Sequence, residues 1–290
     1  MANSPPVVSI GLPVFNGENT LREALGSLLE QTFGDFELIV SDNGSTDGTA
    51  EICRSFAARD GRVRYVRQPV NRGAVWNFNF VLDQARGRYF MWAACDDLWA
   101  PAFIEQNVRV LATQPDVIAS ISKVRLMLGS REAPAHLAGT DPLMADPEQN
   151  VRKFLRNPGF NSRMYALYRT DVLRRSMTAE SHVGADWLVI VRALRFGKYH
   201  EVPQRLFTRG TCGESSSLMR VITRYNAGRL NTIFPMLPLS RKLMKEPHAP
   251  KDPGTYVILL RWNAAYTIGS IIQHALLAAR SMIQESRTDP

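Results

Sequence analysis

Cysteine is scarce in this 290-residue chain: Cys53, Cys95 and Cys212 are far apart, and no CxxC pair occurs. That spacing argues against a disulfide framework and against a zinc site, and fits a reducing, cytosolic compartment. The opening residues MANSPPVVSI have no basic region followed by a long apolar stretch, so no signal peptide is expected. The apolar run Tyr256 to Leu260 is broken at once by Arg261, and no membrane span is expected. No GxGxxG follows the first predicted strand and no GxxxxGK[ST] occurs, which disfavours a dehydrogenase-type dinucleotide fold and a P-loop. Internal repeats and low-complexity tracts are also missing.

What remains is ample core material, 45% hydrophobic residues, and a net charge of +8. The positive balance favours anionic partners such as a nucleotide phosphate, a nucleic acid or an acidic membrane, or else marks a merely basic surface. No basic helix or aromatic stacking motif accompanies it, so no nucleic-acid partner is expected.

Over roughly the first half of the chain, strand and helix patterns alternate. Val7 to Phe15 reads as a buried strand and Glu18 to Gln31 as a helix with Leu21, Ala24, Leu25, Leu28 and Leu29 inward. Phe36 to Val40 is a second strand, followed by a helix that Thr46 or Asp47 would cap. Val63 to Val66, a helix over Ala74 to Ala85, a strand over Tyr89 to Ala94 and a helix opened by Pro101 continue the series. Such alternation predicts an α/β fold with a mostly parallel central sheet flanked by helices, binding ligands beyond the carboxyl ends of its strands. Farther on, Gly129 to Pro147 reads as a surface loop, Asn150 to Arg156 as helix, Met164 to Tyr168 as extended, and Ala185 to Phe196 as helix. From Val221 the chain has helical character interrupted by prolines.

Three polar clusters fall at predicted strand ends: Pro13 to Glu18, Asp42 to Asp47, and Asp96-Asp97 within AACDDLW. Adjacent carboxylates suit a hard divalent ion held against a diphosphate, one binding the metal and the other a ribose hydroxyl; they equally suit a helix N-terminus. Asp42 can accept from the imide N–H of a base, or simply shape a turn. Arg72, just before a helix, can neutralise phosphate, or be an exposed loop residue. Asp186 at the start of an apolar helix is either a capping acid or a general base.

The stretches VSIGLPVFNGENTLREALGSLLEQTFGDFELIVSDNGSTDGT, NRGAVWNFNFVLDQARGRYFMWAACDDLW and GADWL, taken in order, resemble glycosyltransferase family 2, inverting enzymes of the GT-A fold. The first two cover most of residues 7 to 100, and the likeness fades beyond residue 200. The resemblance implies a GT-A catalytic domain over residues 1–215, with a nucleotide-binding half at 1–100 and an acceptor-side half at 101–215, and a helical C-terminal extension at 216–290. It implies a nucleotide-sugar donor, a UDP-sugar favoured with GDP and dTDP open, and a glycan or lipid-linked hydroxyl acceptor. Pro13, Phe15 and Glu18 would flank the nucleotide, Asp42 would meet the base, and Arg72 the base or phosphate. Asn43 and Asn77 join that nucleotide-sugar set. Asp96 would meet ribose or sugar, Asp97 would hold Mg²⁺ or Mn²⁺, and Asp186 would be the base that deprotonates the acceptor.

One departure stands out. Sequences of the family it resembles often carry a His in a segment like Arg-x-His followed by Ser, whereas here Thr208 to Ser215 reads TRGTCGES. Either Arg209 or Ser215 takes over the diphosphate contact, or the segment works differently. The rival readings are a sugar nucleotidyltransferase, disfavoured because GLPVFNGEN lacks a basic residue, and an inactive nucleotide-holding relative, disfavoured by Asp97 with Asp186. The tail mixes apolar residues with Arg261, His274 and Arg280, so it would pack on the sheet, join a homodimer, or touch a membrane from the cytoplasmic side.

Overall fold

The computed structural model describes residues 4–180, 182–210, 231 and 234–285, with side chains described as far as residue 269 and at Ile271. Its first half is a parallel sheet. Val8–Val14 (β1), Phe36–Asp42 (β2), Val63–Arg67 (β3) and Tyr89–Trp92 (β4) lie in the order β3-β2-β1-β4. Nearly every side chain of β1, β2 and β4 is buried, as expected of strands covered on both faces. The covering helices are Leu21–Leu29 (α1), Thr49–Arg59 (α2) and Ala74–Asp83 (α3).

α1 starts later than the periodicity predicts, at Leu21, because the residues before it are engaged elsewhere. Gly17 donates its N–H to Thr49 Oγ1 at 2.8 Å and Glu18 donates its own to Asp47 Oδ2 at 3.1 Å. The cap expected at Thr46 or Asp47 is a shared one. Asp47 Oδ1 accepts from the Thr49 N–H at 3.1 Å, while Glu18 Oε2 accepts from the Gly48 N–H at 2.7 Å.

The second half reverses direction. Leu98–Trp99 (β5), Phe103–Thr113 (α4), Val117–Leu128 (β6) and Arg131–Glu132 (β7) come first, and Pro147–Arg156 (α5) follows. Leu167–Arg169 (β8), Thr170–Ser176 (α6), Ala185–Leu194 (α7) and Lys198–Arg209 (β9) complete this half. β8 lies antiparallel between β4 and β6, β9 runs parallel to β6, and β5 pairs antiparallel with β9. The result is one mixed sheet, in the order β3-β2-β1-β4-β8-β6-β9-β5, flanked by helices. Leu98 pairs with Thr208, which brings the residues after β4 beside the end of β9.

Two predicted segments differ. Gly129 to Pro147 is more than a surface loop: it contains β7 and a 3₁₀ turn at Ala135–Leu137, and it buries Ala133, Ala138 and Leu143. Met164 and Tyr165 belong to a 3₁₀ turn at Ser162–Tyr165, and only from Leu167 is the chain a strand. Pro101 precedes α4 by two residues, in the turn that leads into it.

The tail packs on this body. Leu237–Leu243 (α8) buries Leu239 and Leu243, and the 33-residue Pro253–Glu285 (α9) buries Ile258 and Leu259 in the same core. Trp262 donates its indole N–H to the Leu155 carbonyl at 2.7 Å and stacks edge-on against Trp187 at 5.2 Å. Arg192 pairs with Glu246 at 2.7 Å, and Arg152 with Asp252 at 3.0 Å. Between Arg261 and Arg280 no formal charge occurs, a run the sequence reading passed over, but Asn263, Thr267, Ser270, Gln273 and His274 interrupt its apolarity. No described helix is long and apolar enough to cross a membrane.

Candidate active site

The carboxyl ends of β1, β2 and β4 and the end of β9 meet at one edge, and the three polar clusters meet there with them. The first two are laced together. Asn16, in the left-handed region at φ 52°, donates its N–H to Ser45 Oγ at 2.9 Å, and its Oδ1 accepts from the Thr46 N–H at 2.9 Å. Asp42 is fully buried: Oδ1 accepts from the Ser45 N–H at 2.8 Å, Oδ2 accepts from the Tyr65 hydroxyl at 3.0 Å, and Arg67 lies 3.7 Å away.

Asn43 is buried too, and fastens the loop before α3. Its Oδ1 accepts from the Arg72 N–H at 3.0 Å, and its Nδ2 donates to Asn71 Oδ1 at 2.9 Å and to the Gly73 carbonyl at 3.2 Å. Arg72 is thereby held with its guanidinium 4.0 Å over the Trp76 ring. Asn77 is buried behind this loop, accepting from Ser41 Oγ at 2.6 Å and donating to the Ser41 carbonyl at 2.9 Å. Pro13 sits within β1 opposite Ser41, and Phe15 is 41% exposed just past the strand. In this state the side chains of Glu18, Asp42, Asn43 and Asn77 are thus committed to the protein's own groups, while Phe15 and Arg72 reach the surface.

The third cluster is electrostatically the most loaded. Asp97 is 1% exposed; its Oδ1 accepts the Gly210 N–H at 2.9 Å, and its buried Oδ2 has no hydrogen-bond partner among the described residues. Burial pushes its carboxyl well above the usual range, the Arg209 charge opposes that shift, and neighbouring Asp96 adds to it. Asp96 is half-buried, with its carbonyl against Gly210, where a Cβ would stand 2.4 Å from the oxygen. Cys95, half-buried next to the pair, has its thiol pushed up to about 11, chiefly by burial.

An orphaned, buried carboxylate oxygen beside a second carboxylate is a fitting donor set for a hard divalent cation, which favours oxygen ligands. Among the described residues no group of three or more His, Cys, Asp and Glu converges, so such an ion would take its other ligands from phosphate and water.

Asp186 lies in the first turn of α7, after Gly184 in the left-handed region. Its Oδ2 accepts from Asn161 Nδ2 at 2.7 Å. Burial raises its carboxyl, while Asn161, the Arg209 charge and backbone N–H groups of the helix start oppose the shift. Arg209 therefore acts on both acids. Its guanidinium is held by the Phe160 carbonyl, by Ser162 Oγ at 3.1 Å and by the Tyr165 ring, 5.0 Å away. Asp96, Asp97, Asp186 and Arg209 all act electrostatically on the Tyr165 hydroxyl, which burial pushes up. Ser215, the other candidate for the diphosphate contact, lies outside the described residues.

Asn161 and Tyr165 were not legible as site residues. Their only trace is the turn sequence PGFNSRMY, which carries no chemical signature until it is folded beneath α7.

Comparison with known proteins addresses the family and the fold. The family model for glycosyl transferase family 2 matches residues 9–176. An uncharacterized glycosyltransferase of Rickettsia typhi is 38% identical over 106 residues, 37% of this chain and 32% of the relative. TuaG of Bacillus subtilis, whose name assigns it to teichuronic acid biosynthesis, is 32% identical over 111 residues, 38% of this chain and 44% of TuaG. The matched stretch thus spans less than half the length of these curated relatives. Among solved structures, S. aureus TarS 1–349 in complex with UDP-GlcNAc superposes with a TM-score of 0.66 at 16% identity, over 87% of this chain and 70% of that one. The mannosyltransferase PcManGT from Pyrobaculum calidifontis, in complex with GDP-Man and Mn²⁺, gives 0.59 at 18% identity, over 97% and 81%. At these identities the structural likeness speaks to the GT-A fold alone.

Proposed function

The chain belongs to glycosyltransferase family 2, and from that premise we propose that it transfers a sugar from a nucleotide-diphosphate donor to a hydroxyl acceptor with inversion. A UDP-sugar is the favoured donor, and assembly of a cell-envelope polysaccharide or glycolipid the favoured setting, by analogy with the UDP-GlcNAc complex of TarS and the name of TuaG. The observation that carries the reading is the buried Asp97, with one oxygen on the Gly210 N–H and the other without a partner among the described residues, at the strand edge where the Arg209 charge acts on both Asp97 and Asp186.

Each group has a task. Phe15, Pro13 and Arg72 line the nucleotide end, on a floor that Glu18, Asp42, Asn43 and Asn77 hold in shape. Asp96 takes a ribose or sugar hydroxyl. Asp97, together with the donor diphosphate, would hold Mg²⁺ or Mn²⁺, which when bound would supply positive charge against the departing phosphates. Arg209 adds a fixed cation to the same region without reorganisation. Asp186 takes the proton from the acceptor hydroxyl, and its raised carboxyl makes it a better base than a solvated aspartate. Attack from the face opposite the leaving diphosphate inverts the anomeric centre.

The exposed face of α9 fits a membrane-proximal acceptor. Tyr256, Val257, Leu260, Ile268 and Ile271 are 45–68% exposed on it, beside Arg261, and residues 253–284 contain no Asp or Glu. An apolar face edged by cations suits an anionic lipid surface.

Calorimetric titration of UDP, GDP and dTDP, with and without Mn²⁺, tests the donor site in wild type and Asp97→Ala. Metal-dependent binding of one nucleotide, lost in the variant, is expected. Failure of all three to bind would remove the transferase reading.

A further inference from the structure

The turn that carries Asn161 is built with unusual firmness for a connection between elements. Phe160 donates to the Leu137 carbonyl at 2.7 Å, Asn161 to Pro158 at 3.0 Å and Ser162 to Ala138 at 3.0 Å. Gly139 and Gly159 both adopt positive φ where the two segments cross. A Cβ would lie 2.0 Å from the Pro158 oxygen at Gly139, and 2.6 Å from the Leu137 oxygen at Gly159. Only glycine allows backbones so close.

Between these anchors Asn161 is held at φ 52°, a conformation that Asn accepts more readily than other residues with a side chain. It is 2% exposed, and its Nδ2 points at Asp186 from 2.7 Å. Among the described residues its buried Oδ1 has no hydrogen-bond partner, so the side chain is oriented by what its amide donates to. The same turn grips Arg209 through the Phe160 carbonyl and Ser162 Oγ.

We propose that Asn161 is the positioning residue of Asp186: its amide fixes the carboxylate in one orientation and favours its ionised form. The inference rests on Asp186 being the base and adds to that reading the group that sets the base. Nδ2 can donate to a carboxylate but loses that bond when the facing oxygen is protonated, so the contact selects the form able to take a proton. The direction of the Asn161 contribution at Asp186, opposing the upward pull of burial, agrees. Other titratable groups that act on Asp186 or feel it are Arg209 at the end of β9, His182 before α7, Tyr165 and Tyr168 from the turn and β8, and Tyr266 of α9.

The titration that decides the proposal reads Asp186 directly and requires no knowledge of donor or acceptor. In protein labelled at the aspartate carboxyl carbon, the Asp186 resonance is assigned by its loss in Asp186→Asn and titrated by NMR. Asn161→Gly keeps the positive φ and deletes the amide. Asn161→Asp keeps the shape and replaces the donor with a second carboxylate. The Asp186 midpoint should rise by about one to two pH units in the glycine variant, the worth of a hydrogen bond to a charged group, and further in the aspartate variant. The low-pH limb of nucleoside diphosphate release from UDP-GlcNAc, with water as acceptor, should move by the same amount. An unchanged midpoint in Asn161→Asp, or in a folded Asn161→Gly, overturns the proposal. Transfer that survives in Asp186→Asn would instead overturn the assignment of the base, whatever Asn161 does to the titration.

Discussion

The Gly210 N–H donates to Asp97 Oδ1 at 2.9 Å, joining the residue after β9 to the carboxylate that follows β4. The bond follows from the pairing of Leu98 with Thr208, which carries both chain segments to the same edge. It also explains the glycine, since a Cβ there would sit 2.4 Å from the Asp96 carbonyl oxygen. Gly210→Ala is therefore expected to push the two segments apart, costing about 1–3 kcal/mol of stability. Mn²⁺-dependent nucleotide binding should weaken at least ~10-fold, the equivalent of about 1.4 kcal/mol. Calorimetry alongside thermal melting checks both, and wild-type affinity in the variant would dismiss the role given to this contact.

Asp97 keeps a buried oxygen that has no partner among the described residues, so its ionised form is destabilising until a cation arrives. Its folded-state pKa lies above the unfolded value. In that window the native protein binds the extra proton, so the group's contribution is full below about pH 4 and is lost as pH rises through the folded value. Asp97→Asn keeps the acceptor for Gly210 and removes the charge. Without added metal the variant should melt higher than wild type at pH 7–8, by a few degrees if about 1 kcal/mol is recovered, and the gap should close toward pH 4. A variant that melts lower at neutral pH would contradict the account.

How much of this was legible beforehand depends on how local each feature is. FELIVSD and YFMW are unbroken apolar runs, and AACDDLW follows directly, so the parallel half and its acidic edge can be read from the sequence. β9 reads poorly, because KYHEVPQRLFTR places Pro203, Gln204, Arg205 and Arg209 within a strand whose register against β6 shifts. Residue type alone also leaves structural tasks unseen: Glu18 caps α2 and Asn77 ties α3 to β2. Those tasks depend on distant segments that no short window contains.

Arg209 is the cation common to both acids, and three groups from the 160–165 turn hold it in place. A preorganised donor aimed at developing charge typically contributes about 10²–10³ in rate. Arg209→Ala should lower kcat for nucleoside diphosphate release by that factor. Arg209→Lys should recover only part of it, because an ammonium cannot reproduce the planar fork. Stopped assays at saturating donor distinguish this from a loss of binding. A kcat within twofold of wild type in the alanine variant would move the diphosphate contact to another residue, with Ser215 the first to try.

The α9 face makes a prediction independent of catalysis. Leu260 and Ile268 are 68% and 57% exposed, while Ile258, Leu259 and Trp262 anchor the helix to the body. Truncating the helix would uncover core, whereas Leu260→Asp with Ile268→Asp changes only the outer face and should leave the melting temperature within a few degrees. Wild type should sediment with vesicles containing anionic phospholipid, less so with neutral ones or at high salt, since Arg261 acts through a screened field. The double variant should stay in the supernatant. Equal sedimentation of both proteins would remove the lipid contact from this face, and a concentration-dependent dimer broken by the same substitutions would assign the face to a second copy of the chain.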